Sequence, residues 1–217
     1  LSTEKIAAAG IKSAVVFDFD GTLTTTDSIK FLLCCLLFGS PRRVFKALLL
    51  IIKHKGNPQD MKAAVIGCLV KNRSVDAINR NLSLFHWIVK KCLRRNIFHL
   101  LEKHLNNGDL VIIATASPSF AIADLFRGRS LRVEGTDFLV EKGRFTGEIE
   151  SMPCYGKQKA ERIRVLMEKE RIDRLIVAYS DHFSDLPLLH CAEKAVFVFP
   201  DRKTRQFIKI VNASVIE

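Results

Sequence analysis

The chain has one tryptophan and two tyrosines among 217 residues, although phenylalanine is plentiful. Single-stranded nucleic acid is held on stacked aromatic rings, and no module of the kinds that read base edges is present. The net charge of +11 is therefore not read as a nucleic-acid footprint. It fits an anionic substrate, an anionic membrane or a basic surface. None of the six cysteines, Cys34, Cys35, Cys68, Cys92, Cys154 and Cys191, forms a CxxC pair, and six scattered histidines add no zinc spacing. Cys34 and Cys35 lie in an apolar run, where a reduced thiol behaves as a small hydrophobe. This favours a reducing, cytoplasmic setting over a disulfide framework. Residues 1–10 contain no long apolar core, so no secretory signal is expected. No unbroken apolar stretch approaches the ~20 residues of a spanning helix; the longest covers residues 31–38.

What is present reads as a folded α/β protein, with 48% hydrophobic and 26% charged residues. Continuous apolar runs predict buried parallel strands at 14–17, 110–114, 175–179 and 195–199. Helices are expected near 118–127, 156–170 and 183–192, with a basic helix at the tail. Two short β pieces, 131–140 and 144–149, flank the turn Glu141-Lys142-Gly143. Strands alternating with helices imply a parallel sheet with helices on both faces. Residues 28–107 lack any strand period and read as helices near 28–38, 42–54, 59–71 and 75–105, the last broken. The expected organisation is a catalytic core of residues 11–27 and 108–217, with residues 28–107 as an all-helical insertion.

Ligands of such sheets bind beyond the carboxyl ends of the strands. Asp18, Thr115 and Asp181 each stand at one of these ends. Asp18 and Asp20 flank Phe19, so an extended chain points both the same way. Two neighbouring carboxylates repel, and need a cation or a shifted pKa. The plain alternative is a strand-end Asx turn capped by Asp20-Gly21. Asp181 and Asp185 lie one helical turn apart, and N-capping explains one Asp rather than two. Lys159 follows Gly156 at a helix start and carries no meaning alone.

Together these pieces resemble the haloacid dehalogenase superfamily. Residues 15–24, containing Asp18-Phe19-Asp20-Gly21-Thr22, resemble its first motif. Ile112-Ile113-Ala114-Thr115 resembles the second, Lys159 the third, and Ser180-Asp181-His182-Phe183-Ser184-Asp185 the fourth. The helical insertion is similar to the cap of phosphoserine phosphatase-like members on a Rossmann-like core. Thr115-Ala116-Ser117-Pro118 with residues 180–189 looks closer still to a bacterial branch that includes phosphatidylglycerophosphatase C. Three departures point away from phosphoserine as substrate: Asp27 in place of a Glu, Gly21 in place of a Ser, and Thr115-Ala116-Ser117 in place of a Ser-Gly-Gly loop.

The resemblance implies a phosphatase with Asp18 as nucleophile, forming an aspartyl-phosphate, and Asp20 as general acid and then base. It implies Mg²⁺ held by the Asp18 carboxylate, the Asp20 main-chain carbonyl and Asp181. Thr115 and Lys159 are expected to bind the non-bridging phosphate oxygens, and Asp185 to orient Lys159 or a metal-bound water. Lys157 rivals Lys159; Ile163 and Leu166, four and seven residues on, favour Lys159. Asp27 is expected to face the substrate head group. Lys62 stands where phosphoserine phosphatases place a substrate-binding Arg.

The substrate clue is the apolar stretch 31–52, which reads as a helical hairpin. Arg42, Arg43, Lys46, Lys53 and Lys55 flank it, the pattern of an anchor lying in an anionic membrane interface. The expected substrate is a phospholipid-type phosphate such as phosphatidylglycerophosphate, met at the cytoplasmic face of a membrane. The alternatives are that the hairpin is cap interior and the substrate a small soluble phosphomonoester such as phosphoserine, or that the chain is a non-catalytic membrane- or nucleic-acid-binding protein.

Overall fold

The computed structural model describes residues 13–37, 41–53, 56 and 58–217. Residues 11 and 12 of the expected core, Phe38, the turn at Gly39 and Ser40, and Lys55 lie outside the described residues.

Strand β1 (Ser13–Asp18) is the centre of the molecule. Ala14, Val15, Val16 and Phe17 are wholly buried, as a continuous apolar run in a two-sided sheet requires. Alternate side chains separate to opposite faces. Val15 and Phe17 join one core layer with the insertion helices, and Ala14 and Val16 join the other. β1 pairs with β2 (Leu110–Pro118) and with β6 (Arg174–Ser180). β3 (Leu131–Thr136), β7 (Lys194–Val198) and β8 (Ser214–Ile216) complete the six-stranded sheet in the order β3-β2-β1-β6-β7-β8. Every adjacent pair is parallel, so all carboxyl ends share one edge. Asp18 pairs with Ala114 and Phe17 with Tyr179, so Asp18, Thr115 and Ser180 emerge side by side.

Between β1 and β2 run α1 (Ile29–Leu37), α2 (Pro41–Lys53), α3 (Pro58–Val70), α4 (Val75–Lys91) and α5 (Arg95–Asn106). The break between α4 and α5 has a use. The Thr25 N–H donates to the Cys92 carbonyl at 2.9 Å, and the Arg94 N–H to the Leu23 carbonyl at 2.8 Å. The freed backbone at the break thereby fastens the segment that follows β1.

After β2 come a short α6 (Ser119–Ile122) and a 3₁₀ turn, Ala123–Phe126. The expected β piece 131–140 divides in two. β3 joins the sheet, whereas β4 (Phe138–Glu141) forms an antiparallel hairpin with β5 (Arg144–Ile149). α7 (Lys157–Glu170) and α8 (Leu186–Cys191) cover the other face through Ile163, Leu166, Leu188 and Leu189. The expected basic tail helix is a correction. Helix α9 is one turn, Arg202–Arg205, and the chain then returns as β8 beside β7. Val215 and Ile216 are β-branched, and the open edge of β7 offers them main-chain partners.

The hairpin of residues 31–52 has two unlike halves. In α1, Leu32, Cys35 and Leu36 are buried. In α2, Ala47 is buried, while Phe45 is 64% exposed, Leu48 51%, Ile51 46% and Ile52 75%. Arg42 and Lys46 are exposed on the same helix. Among the described residues, no helix is long and apolar enough to cross a membrane.

The β4–β5 hairpin fastens to the insertion. The Asn72 N–H donates to the Phe145 carbonyl at 2.8 Å and the Phe145 N–H returns a bond to the Arg73 carbonyl at 3.0 Å. Where β5 crosses α3, a Cβ on Gly67 would lie 2.1 Å from the Gly147 carbonyl oxygen, a main-chain atom with no room to retreat. Gly67→Ala should therefore destabilise the fold by about 1–3 kcal/mol. Urea unfolding of the two proteins measures it, and an unchanged midpoint would refute this account of the contact.

Candidate active site

Asp18 closes β1, and the chain leaves the strand through the loop Phe19–Leu23. Gly21 takes φ +85°, and a Cβ there would stand 2.1 Å from Asp181 Oδ2. Only glycine satisfies both the left-handed backbone and this approach. Asp181 thus packs against Gly21, and the Thr22 hydroxyl lies between it and Asp18, 3.1 Å from Asp18 Oδ2 and 3.3 Å from Asp181 Oδ1. From the first turn of α7, Lys159 Nζ donates to Asp18 Oδ1 and to Asp185 Oδ2, both at 2.7 Å. The Ser180 hydroxyl also donates to Asp185 Oδ2, at 2.8 Å. Asp185 Oδ1 is buried without a hydrogen-bond partner. Lys157, the rival lysine, is exposed at the start of α7.

Three carboxylates thus surround one ammonium. Burial raises the Asp18 pKa well above the carboxylate range; Lys159 opposes this, and Asp185 and Asp181 reinforce it. Asp181 is raised by burial and by Asp185. Burial alone would lower the Lys159 ammonium, but the Asp18 and Asp185 carboxylates outweigh it and hold its pKa above the ordinary lysine value. The cluster is short of positive charge.

Asp20 is held from two sides. Its Oδ1 accepts the Ser28 N–H at 2.7 Å, eight residues on, so although Asp20 and Gly21 take the backbone of a type II turn, the carboxylate reaches well beyond that turn. Its Oδ2 accepts the Ser117 hydroxyl at 2.7 Å. Burial raises its pKa, and the bonds from Ser28 and Ser117 offset part of that rise. Capping does not explain the acidic pair either. The 3₁₀ turn Phe183–Asp185 is capped by His182, and Asp185 makes no side-chain cap bond.

A cavity of about 370 Å³ opens over these groups. Asp18, Asp20, Asp27, Lys62, Lys159, Asp181 and Asp185 all line it. Asp27 Oδ2 and Lys62 Nζ form an ion pair of 3.4 Å in its wall. Thr115 departs from expectation. It is fully buried, and its hydroxyl accepts the Ser117 N–H at 3.0 Å and stands 3.5 Å from Asp20 Oδ2. Its neighbours Ala116 and Ser117 line the cavity in its place. Thr22, Ser28 and Ser117 bond to the acidic groups and were missed by sequence reasoning, because a lone hydroxyl residue carries no pattern.

Residues 15–190 match the haloacid dehalogenase-like hydrolase family. The chain belongs to this family. As a haloacid dehalogenase-like hydrolase it is similar to the probable phosphatase Rv3661 of Mycobacterium tuberculosis, with 32% identity over 123 residues. That match takes in 56% of this chain and 42% of the relative, so the chain spans less than half of that protein's length. A solved protein of unknown function from Bordetella pertussis Tohama I superimposes with a TM-score of 0.80 at 22% identity, covering 95% of this chain and 99% of that one. A phospho-aspartyl intermediate analogue of phosphoserine phosphatase gives 0.61 at 17% identity, covering 95% and 93%. These likenesses establish a shared α/β fold with phosphoserine phosphatase-like neighbours.

The donors suit a hard divalent cation. Asp18 and Asp181 offer carboxylate oxygens around a site deficient in positive charge. Among the described residues no three His, Cys, Asp or Glu side chains converge as ligands. A set of two carboxylates plus main-chain oxygen fits Mg²⁺, which keeps several waters.

Among the described residues Lys159 is the sole ammonium bonded to Asp18 and Asp185. Lys159→Met should cost roughly 3–5 kcal/mol at neutral pH without added divalent cation, by leaving buried carboxylates unpaired. Adding Asp185→Asn should recover part of the loss. Urea unfolding of the single and double variants checks both, and an unaltered midpoint for Lys159→Met would contradict the ion-pair account.

Proposed function

We propose that this protein hydrolyses phosphomonoesters through an aspartyl-phosphate on Asp18. The observation that carries the reading is Asp18 at a strand end, bound by a buried lysine that a second carboxylate holds in place. A carboxylate two residues later faces the same cavity. An Asp18 oxygen attacks phosphorus as the bond to the ester oxygen breaks, and Asp20 gives that oxygen its proton. Asp20 then takes a proton from water, the hydroxide attacks phosphorus, and the bond to Asp18 breaks to release phosphate. Lys159 offsets charge on the non-bridging oxygens, and Asp185 keeps it aimed. Thr115 supports the turn that presents Ser117. Mg²⁺ held by Asp18, Asp181 and the Asp20 carbonyl would supply positive charge against the anionic phosphate.

The substrate we favour is a phospholipid-type phosphate such as phosphatidylglycerophosphate, taken from the surface of an anionic membrane. The exposed apolar side of α2 supports this, because Phe45, Leu48, Ile51 and Ile52 are large apolar side chains that stay exposed among the described residues. Arg42 and Lys46 give the same helix positive charge. Helices of residues 28–107 act in this reading as a cap, with Asp27 and Lys62 meeting the head group. A small soluble phosphomonoester such as phosphoserine is the competing substrate, favoured by the likeness to the phosphoserine phosphatase structure.

Asp18→Asn should fold and lose phosphate release by about a thousandfold or more, measured in Mg²⁺ with an aryl phosphate. Retained turnover would overturn the nucleophile. Beryllium fluoride with Mg²⁺ should inhibit by occupying Asp18. For the substrate, Leu48, Ile51 and Ile52 changed together to Ser should weaken flotation with anionic vesicles, at up to about 1.5–3 kcal/mol per side chain. Turnover of vesicle-borne lipid phosphate should fall with it, and aryl phosphatase activity should persist. Failure of the unaltered protein to float, with a preference for phosphoserine, would select the soluble substrate.

A further inference from the structure

Asp20 must hold one orientation through two opposite proton transfers, and the bonds that hold it among the described residues come from hydroxyls and a main-chain N–H. Ser117 occupies the place from which that control can be exercised. Its hydroxyl is 2.7 Å from Asp20 Oδ2, and the residue is 2% exposed. On the far side of the carboxylate, the Ser28 N–H holds Oδ1 at 2.7 Å. The two serine hydroxyls are themselves 3.4 Å apart, so they close around the carboxylate from β2 and from the entry to α1.

The segment carrying Ser117 is braced. Its N–H donates to the Thr115 hydroxyl at 3.0 Å, and the Thr136 hydroxyl donates to the Ala116 carbonyl at 2.8 Å. A Cβ on Gly135 would fall 2.8 Å from the Ser117 carbonyl oxygen, so β3 lies directly against this segment. Ser117 also lines the cavity, which raises the rival role of phosphate ligand. A serine hydroxyl has a single proton. Given to the ionised Asp20 carboxylate at 2.7 Å, that proton is not also available to a phosphate oxygen.

We propose that Ser117 is the positioning residue of the acid–base carboxylate, its hydroxyl fixing the Asp20 side chain toward the ester oxygen. This rests on the reading of Asp20 as acid and base given above. In the first half-reaction the Asp20 proton passes to the ester oxygen while Ser117 keeps its bond to Oδ2. The resulting carboxylate is then already oriented to take a proton from water. Loss of the hydroxyl removes the short bond to Oδ2 and leaves the carboxylate tethered chiefly through Oδ1 to Ser28, about which it can turn, which harms most the esters whose leaving oxygen needs that proton.

The test compares the unaltered protein, Ser117→Ala and Ser117→Thr on glycerol phosphate and p-nitrophenyl phosphate, in Mg²⁺. Ser117→Ala should lower kcat/KM on glycerol phosphate by about 10–100-fold, and several-fold less on p-nitrophenyl phosphate, whose leaving oxygen departs unprotonated. Ser117→Thr should restore most of it. Equal losses on both esters, or a raised KM with unchanged kcat, would overturn the proposal in favour of a structural or phosphate-binding role. A crystal structure of Ser117→Ala decides independently of turnover: the Asp20 carboxylate should leave its present position, and an unmoved carboxylate would refute the proposal. Asp18→Asn in the same assay separates the two ideas. If it matches the unaltered protein, the nucleophile reading fails, and the crystal structure still judges Ser117.

Discussion

A buried ammonium held between two carboxylates is the constraint on which the site's geometry depends. Lys159 is fully enclosed, so its charge is tolerable only with Asp18 and Asp185 at hydrogen-bond distance. Those residues come from the end of β1, the first turn of α7 and the turn after β6, each fixed by the apolar layers beneath. The parallel register brings the strand ends to one edge, and the ion pair keeps them there. Without Lys159 the acidic groups would repel. Without Asp185 the lysine would be free to turn from Asp18.

Much of this was legible in the chain. The sheet could be read because β1, β2 and β6 are buried on both faces and their apolar runs are unbroken. Asp18, Asp20, Asp181 and Asp185 stood out because charge at the end of such a run is expensive and calls for a partner. Lys159 became visible only beside the family pattern, since sequence cannot tell a buried lysine from an exposed one such as Lys157. The turn of the Thr115 hydroxyl toward Ser117 and Asp20 was not legible. It depends on how the segment after β2 bends against β3, a tertiary choice. The tail misled for a related reason: basic residues suit a helix, but the open edge of β7 draws in the last few residues instead.

The apolar stretch 31–52 carried two meanings that composition cannot separate. An apolar helix is buried by protein or exposes its face to something else. α1 found room between its neighbours and contributes Leu32 and Leu36 to the core. α2 found room for Ala47 and little more, and five large apolar side chains, Phe45, Leu48, Leu49, Ile51 and Ile52, were left outside. The volume under the helices sets that division, and volume is a property of the assembled fold.

Ser28 shows where such a protein can be recombined. Its N–H holds the Asp20 carboxylate, and its carbonyl accepts the Phe31 and Leu32 amides that begin α1. One residue is therefore both a contact of the loop that follows β1 and the root of the helical insertion. A chimera that exchanges insertions between relatives has to place its junction beyond this serine. A graft cut before it would import a foreign first turn and with it a new angle for Asp20. On the proposed reading, substrate range and proton transfer are inherited together across that joint, and exchange of one without the other requires the splice to spare a single backbone amide.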